Sequence, residues 1–77
     1  MSPHLPHEAT AIGRAAADAL RAADIPQREA AARTGIAMTT LTRRLSGHSP
    51  FRIDELAAIA DLCGVSVADL VAPEDAA

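Results

Sequence analysis

A chain of 77 residues with a formal net charge of −3 is one small domain, near the size at which a core is barely sufficient without cross-links. Its single cysteine, Cys63, excludes an intramolecular disulfide and leaves too few thiols for a zinc site of the usual kind. No apolar run approaches membrane-spanning length and no signal-peptide pattern opens the chain, so the expectation is a soluble protein of a reducing cytoplasm with no membrane partner.

The elements follow in chain order. Residues 1–6 hold Pro3 and Pro6 and read as a flexible arm. Helix one is expected over His7–Ala23, because Ile12, Ala16, Ala19, Leu20 and Ala23 share one helical face. Pro26 cannot continue that helix but suits the start of the next, which runs from Gln27 to Thr34 and ends at Gly35. Glu29 and Arg33 stand four apart in the favourable order. Helix three covers Met38–Leu45, with Gly47 as its stop and His48, Ser49 and Pro50 as a loop. Helix four covers Ile53–Cys63, with Ile53, Leu56, Ala57, Ala60 and Cys63 on one face and Gly64 as its stop. Ser66 and Asp69 form a capping box for a short last helix through Val71. The fold class predicted is all-α, a five-helix bundle over residues 7–72 with a disordered tail at 73–77; no strand pattern or internal repeat competes.

The stretch Pro26–Gly47, PQREAAARTGIAMTTLTRRLSG, reads as two short helices joined by a tight turn at Gly35. Such a crossing needs small residues, here Ala30, Ala31 and Ala32, and a turn residue that tolerates φ > 0. The second helix carries Thr39, Thr40, Thr42, Arg43 and Arg44 around Leu41 and Leu45. Hydroxyls and guanidinium groups are the chemistry that meets base edges and phosphates in the major groove of DNA. The charge distribution agrees. Pro26–Arg52 holds five arginines against Glu29 alone, a balance of +4, whereas Ile53–Ala77 holds six acids and no base, a balance of −6. A domain polarised in this way presents one basic face to a polyanion.

IPQREAAARTGIAMTTLTRRLSG followed by IDELAAIADLCGVSVADLV resembles the lambda-repressor-like domain of phage immunity repressors, Cro proteins and the wider Xre group. The resemblance runs from helix one to Val71 and implies an all-α bundle that binds operator DNA, usually as a symmetric dimer. It implies that Gln27 anchors helix two to a phosphate, that Met38, Thr39, Thr42 and Arg43 face the groove, and that Ala31 is the small residue where helices two and three meet. Three departures matter. Ala37 stands where the family places a Ser or Thr cap, a loss worth about 1 kcal/mol. Met38 replaces a polar residue, often Gln, and has no amide for adenine, though it offers a surface to a thymine methyl. Leu20 and Leu45 stand where the family often has an ion pair, so an apolar contact is expected there.

Arg43 is the foremost candidate to read a base, since its fork fits O6 and N7 of guanine. Thr39, Thr40 and Thr42 offer hydroxyls and methyls to phosphates or bases. Arg28, Arg44 and Arg52 are expected to clamp phosphates or solvate the surface, and His48 to reach a phosphate. Phe51, the only aromatic, is expected in the core. His4 and His7 stand three apart without a third ligand, so no metal is expected. Cys63 reads as inert core, and Gly13-Arg14 is not a phosphate loop. No catalytic constellation or cofactor motif appears, so no enzyme, cofactor or small-molecule ligand is expected. The reading is a sequence-specific regulator of double-stranded DNA, Cro-like or a minimal phage immunity repressor, acting at the nucleoid by operator occupancy. So few residues follow the last helix that no sensing domain is expected. The competing readings are an antitoxin or excision factor with the same domain, or a protein-interaction module that need not keep Gln27, Arg43 and the arginine cluster together. A homodimer, at least on DNA, is expected to form through Leu62, Val67 and Val71 at the C-terminal end.

Overall fold

The computed structural model describes residues 4–71, with side chains from Ala9 onward; positions 1–3 of the expected arm, the expected tail at 73–77, and the side chains of His4 and His7 lie outside the described residues. Five α-helices follow one another: α1 His4–Ala22, α2 Gln27–Thr34, α3 Met38–Ser46, α4 Ile53–Cys63 and α5 Val67–Val71. Helix α1 begins at His4, so positions 4–6 of the expected arm are helical. Pro6 is no obstacle, because backbone N–H groups in the first turn have no intrahelical acceptor in any case.

Three helices stop by the same device. Asp24 (φ 61°), Gly47 (φ 85°) and Gly64 (φ 76°) turn into the left-handed region just past α1, α3 and α4. The next residue then donates its N–H back into the last turn: Ile25 to the Leu20 carbonyl at 2.9 Å, His48 to Arg43 at 3.0 Å, Val65 to Ala60 at 3.0 Å. Carbonyls that would be orphaned gain partners, and Ile25 and Val65 fold onto the core. At the start of α5 both bonds of the Ser66–Asp69 capping box form: Ser66 N–H to Asp69 Oδ2 and Asp69 N–H to Ser66 Oγ, each 3.1 Å.

The core takes small residues from α1, α2 and α4 (Ala16, Ala30, Ala31, Ala60) and large aliphatic ones from α1, α3, α4 and α5 (Leu20, Leu41, Leu45, Leu56, Ile59, Leu70). Ile12, Ala19, Phe51, Cys63, Leu62 and Val67 pack half-buried around it. Leu20 and Leu45, the pair expected to replace an ion pair, are both buried and border one groove between α1 and α3. The expected face of α4 needs correction. Ile53 is 73 % exposed and Ala57 is exposed; the buried row is Leu56, Ile59 and Ala60. At about 100° per residue, Ala57 lies roughly 110° round the helix from the middle of that row, and Ile53 stands at the helix's first position, beyond the end of the core. Ala23, placed on the core face of helix one, lies past the end of α1 and is exposed.

Gly13 sets how closely α1 approaches α3. A Cβ on it would lie 2.7 Å from the carbonyl oxygens of both Arg44 and Leu45. The last turn of α3 therefore rests directly on the α1 backbone, while α3 also packs on α2, and α5 packs on α1 and α4.

Candidate nucleic-acid interface

The turn from α2 to α3 is fixed by short-range bonds. Gly35 (φ 80°) donates to the Ala31 carbonyl at 2.9 Å. Thr34 Oγ1 donates to the Ala30 carbonyl at 2.7 Å and accepts the Ile36 N–H at 3.3 Å. Ala30 and Ala31 are buried at the crossing, and Ile36 packs half-buried against the core. Helix α3 then starts from Ala37 with no side-chain cap, as its composition dictates.

Leu41 and Leu45 are the buried residues of α3, and they set its phase. At about 100° per residue, Thr39, Thr42, Arg43 and Ser46 fall within an arc of roughly 100° on the side away from that pair, while Met38 lies only about 40° round from the middle of the pair and is open because it begins the helix. All five are exposed. Among the described residues the Arg43 guanidinium and the Thr39 and Thr42 hydroxyls have no hydrogen-bond or ion-pair partner. Gln27 and Arg28 are exposed at the start of α2 and share an open groove with Met38. These residues, expected to meet DNA, are brought onto two adjoining helices.

Two further expected contacts are not on that arc. Arg44 is corrected: its Nε donates to Glu55 Oε1 at 2.7 Å, Nη2 to Glu55 Oε2 at 3.4 Å and Nη1 to Ser49 Oγ at 2.9 Å. Its side chain is 18 % exposed and that of Glu55 14 %. Arg44 is thus a tie from α3 to the start of α4, and its guanidinium is committed to Glu55 and Ser49 rather than free in solvent. Its hydrogen bond with Glu55 raises the guanidinium pKa and holds the Glu55 carboxyl below the usual carboxylate range. Thr40 is half-buried and borders a cleft with Ile36, Asp54, Glu55 and Ala58, on the α4 side of α3.

His48 and Arg52 flank the far end of α3. His48 is exposed, with Nδ1 2.8 Å from Ser46 Oγ. The Ser46 hydroxyl donates to the Arg43 carbonyl at 3.2 Å. Arg52 is 70 % exposed and donates from Nε to Asp54 Oδ1 at 3.3 Å; that bond is the chief reason the Asp54 carboxyl sits below its ordinary value. The N-terminus of α4 is closed by acids. Glu55 Oε1 accepts the Arg52 N–H at 2.9 Å, and Asp54 Oδ1 accepts the Glu55 N–H at 2.9 Å. Arginine has no acceptor, so the reciprocal half of a capping box falls to Asp54.

Sequence reasoning missed Thr34, Gly13, Ser49 and Glu55. Glu55, three residues after Arg52, carried a usable signal as the first-turn acid of α4. The Arg44–Glu55 pair carried none, being eleven residues apart without a common periodicity. Among the described residues no group of His, Cys, Asp and Glu is arranged to hold a metal, and no helix is long and apolar enough to cross a membrane. Cys63 is half-buried, and burial pushes its thiol pKa up, which disfavours the reactive thiolate.

Nothing among curated proteins or solved structures matches the chain. A family model described as helix-turn-helix matches residues 17–70, from the middle of α1 to α5. That span contains the α2–α3 crossing, the outward arc of α3 and the Arg44–Glu55 tie, so the chain belongs to the Xre/lambda-repressor-like helix-turn-helix family of DNA-binding transcription regulators.

Proposed function

We propose that this protein is a repressor of the Cro-like or minimal phage-immunity kind, acting by occupying a double-stranded operator. The observation that supports this reading is the outward arc of α3, where Arg43, Thr39 and Thr42 are exposed and uncommitted beside Met38. In this reading Arg43 reads a guanine, Thr39 and Thr42 meet base edges or phosphates, and Gln27, Arg28, His48 and Arg52 hold the backbone. A two-fold operator sets recognition helices about 34 Å apart, which calls for two copies. The second copy joins through the C-terminal end. Val71 is 45 % exposed there, while Leu62 and Val67 are half-buried against the core. So little free apolar surface fits a dimer that forms on DNA and not before it.

Selection of bound sites from random duplex DNA tests the proposal. It should return one palindromic site, and affinity for it should fall with salt at a log–log slope of about −0.9 per phosphate neutralised. No retarded complex at low salt, with any selected pool, would sink the proposal and favour the protein-interaction reading.

A further inference from the structure

We propose that Met38 makes this protein a reader of the pyrimidine C5-methyl group, so that its binding responds to thymine methyls and to methylation of cytosine at one operator position. The inference rests on the operator-binding reading and deepens it. Met38 is the first residue of α3 and is 44 % exposed. It borders an open groove of about 610 Å³ with Pro26 and Ala32 and with Gln27, Arg28 and Glu29 of the α2 N-terminus. The wall of that groove at Met38, Ala32 and Pro26 is apolar.

The chemistry of the side chain limits what it can read. A thioether donates no hydrogen bond and accepts only weakly, so Met38 cannot pair with N6 and N7 of adenine or with O6 and N7 of guanine. The apolar feature that a base pair presents in the major groove is the thymine C5-methyl. A methyl added at C5 of cytosine occupies the corresponding place. Methionine is unbranched and polarizable, and it adapts its shape to such a group. Thr39 and Thr42 also carry methyls that can meet a thymine methyl, but they are shorter, whereas Met38 lines the apolar wall of the groove; Thr39→Ser, which deletes only the threonine methyl, separates the two. Covering one methyl group should change affinity about fourfold per half-site.

The test uses the full chain and the site returned by random-duplex selection. Each thymine is replaced in turn by deoxyuridine, which deletes only the methyl, and each cytosine by 5-methylcytosine. Dissociation constants are measured at fixed salt for the wild type, Met38→Ala and Thr39→Ser. One position per half-site should respond, weakening about fourfold as uridine or tightening about fourfold as 5-methylcytosine. That response should vanish in Met38→Ala and persist in Thr39→Ser, with Met38→Ala still fully folded at the assay temperature by far-UV circular dichroism. Uniform binding across all substituted sites overturns the inference while leaving the operator-binding reading intact. So does a methyl response that survives Met38→Ala or is lost in Thr39→Ser. Failure to select any site removes the operator-binding reading, and this inference falls with it.

Discussion

Replacing Glu55 by alanine tests how α3 is held. One carboxylate does two jobs: its oxygens accept from Arg44 at 2.7 and 3.4 Å, and Oε1 also accepts the Arg52 N–H that opens α4 at 2.9 Å. Losing the N-terminal cap should cost about 1 kcal/mol. Losing the charge-assisted bonds to a guanidinium that is only 18 % exposed should cost a further ~1.5–3 kcal/mol. Arg44 can swing partly into solvent and keeps Ser49, so the expected total is toward the lower end, about 2–3 kcal/mol. A domain of this size loses about 4–8 °C of melting temperature per kcal/mol, which predicts a fall of roughly 10–20 °C at neutral pH. The pH dependence has a definite sign. Chiefly through its hydrogen bonds from Arg44, the folded protein holds the Glu55 carboxyl below its ordinary value. Its contribution is therefore complete above the unfolded carboxylate range and lost as pH falls through the lower folded value. The wild type should forfeit that stability in acid and Glu55→Ala should not, so the gap between their melting temperatures narrows there. Thermal unfolding followed by far-UV circular dichroism at neutral and acid pH checks both points. A melting temperature for Glu55→Ala within a few degrees of wild type at neutral pH would refute the reasoning. It would mean that water replaces the pair without loss and that α3 is held by α1 and α2 alone.

Gly13→Ala should lower stability despite gaining up to about 1 kcal/mol of helix propensity, because its Cβ would meet two backbone oxygens at 2.7 Å and overpacking of that kind costs about 1–3 kcal/mol; a melting temperature above wild type would show that α1 and α3 separate freely. Arg43→Ala should lose discrimination at one guanine-containing position, worth about 1–3 kcal/mol, whereas Gln27→Ala should weaken all sites alike; unchanged base preference in the selected sites of Arg43→Ala would reduce Arg43 to a phosphate contact. Arg44→Ala should lower the melting temperature and operator affinity together, while Arg28→Ala should lower affinity and the salt slope alone; a thermally silent Arg44→Ala would return Arg44 to the DNA-facing set.

The contrast between Arg43 and Arg44 shows where legibility ended. Local chemistry carried far: glycine stops, a proline start and apolar periodicity placed α2 and α4 at Gln27–Thr34 and Ile53–Cys63, and the Ser66–Asp69 box was readable from two residues. The phase of α3 was also readable, since Leu41 and Leu45 fix the inward direction and put Arg43 roughly opposite to it, with Arg44 about 80° from it at the edge of the core. A residue at that edge meets whatever the next element brings. That the next element brings a carboxylate depends on the loop from Gly47 to Arg52 and the way α4 is docked, which no local pattern encodes. The same limit explains Ile53 and Gly13. Ile53 keeps the apolar spacing of α4 but stands beyond the point where the core ends, and Gly13 reads as a weak spot in α1 until the last turn of α3 is laid against it. In each case the residue's own chemistry was plain, and its role was set by a backbone many residues away. The outward arc is the reverse case. Side chains that bond to nothing else in the chain, as Thr39, Thr42 and Arg43 do, are legible from their own element, because the only fact the fold must supply is which way that element faces.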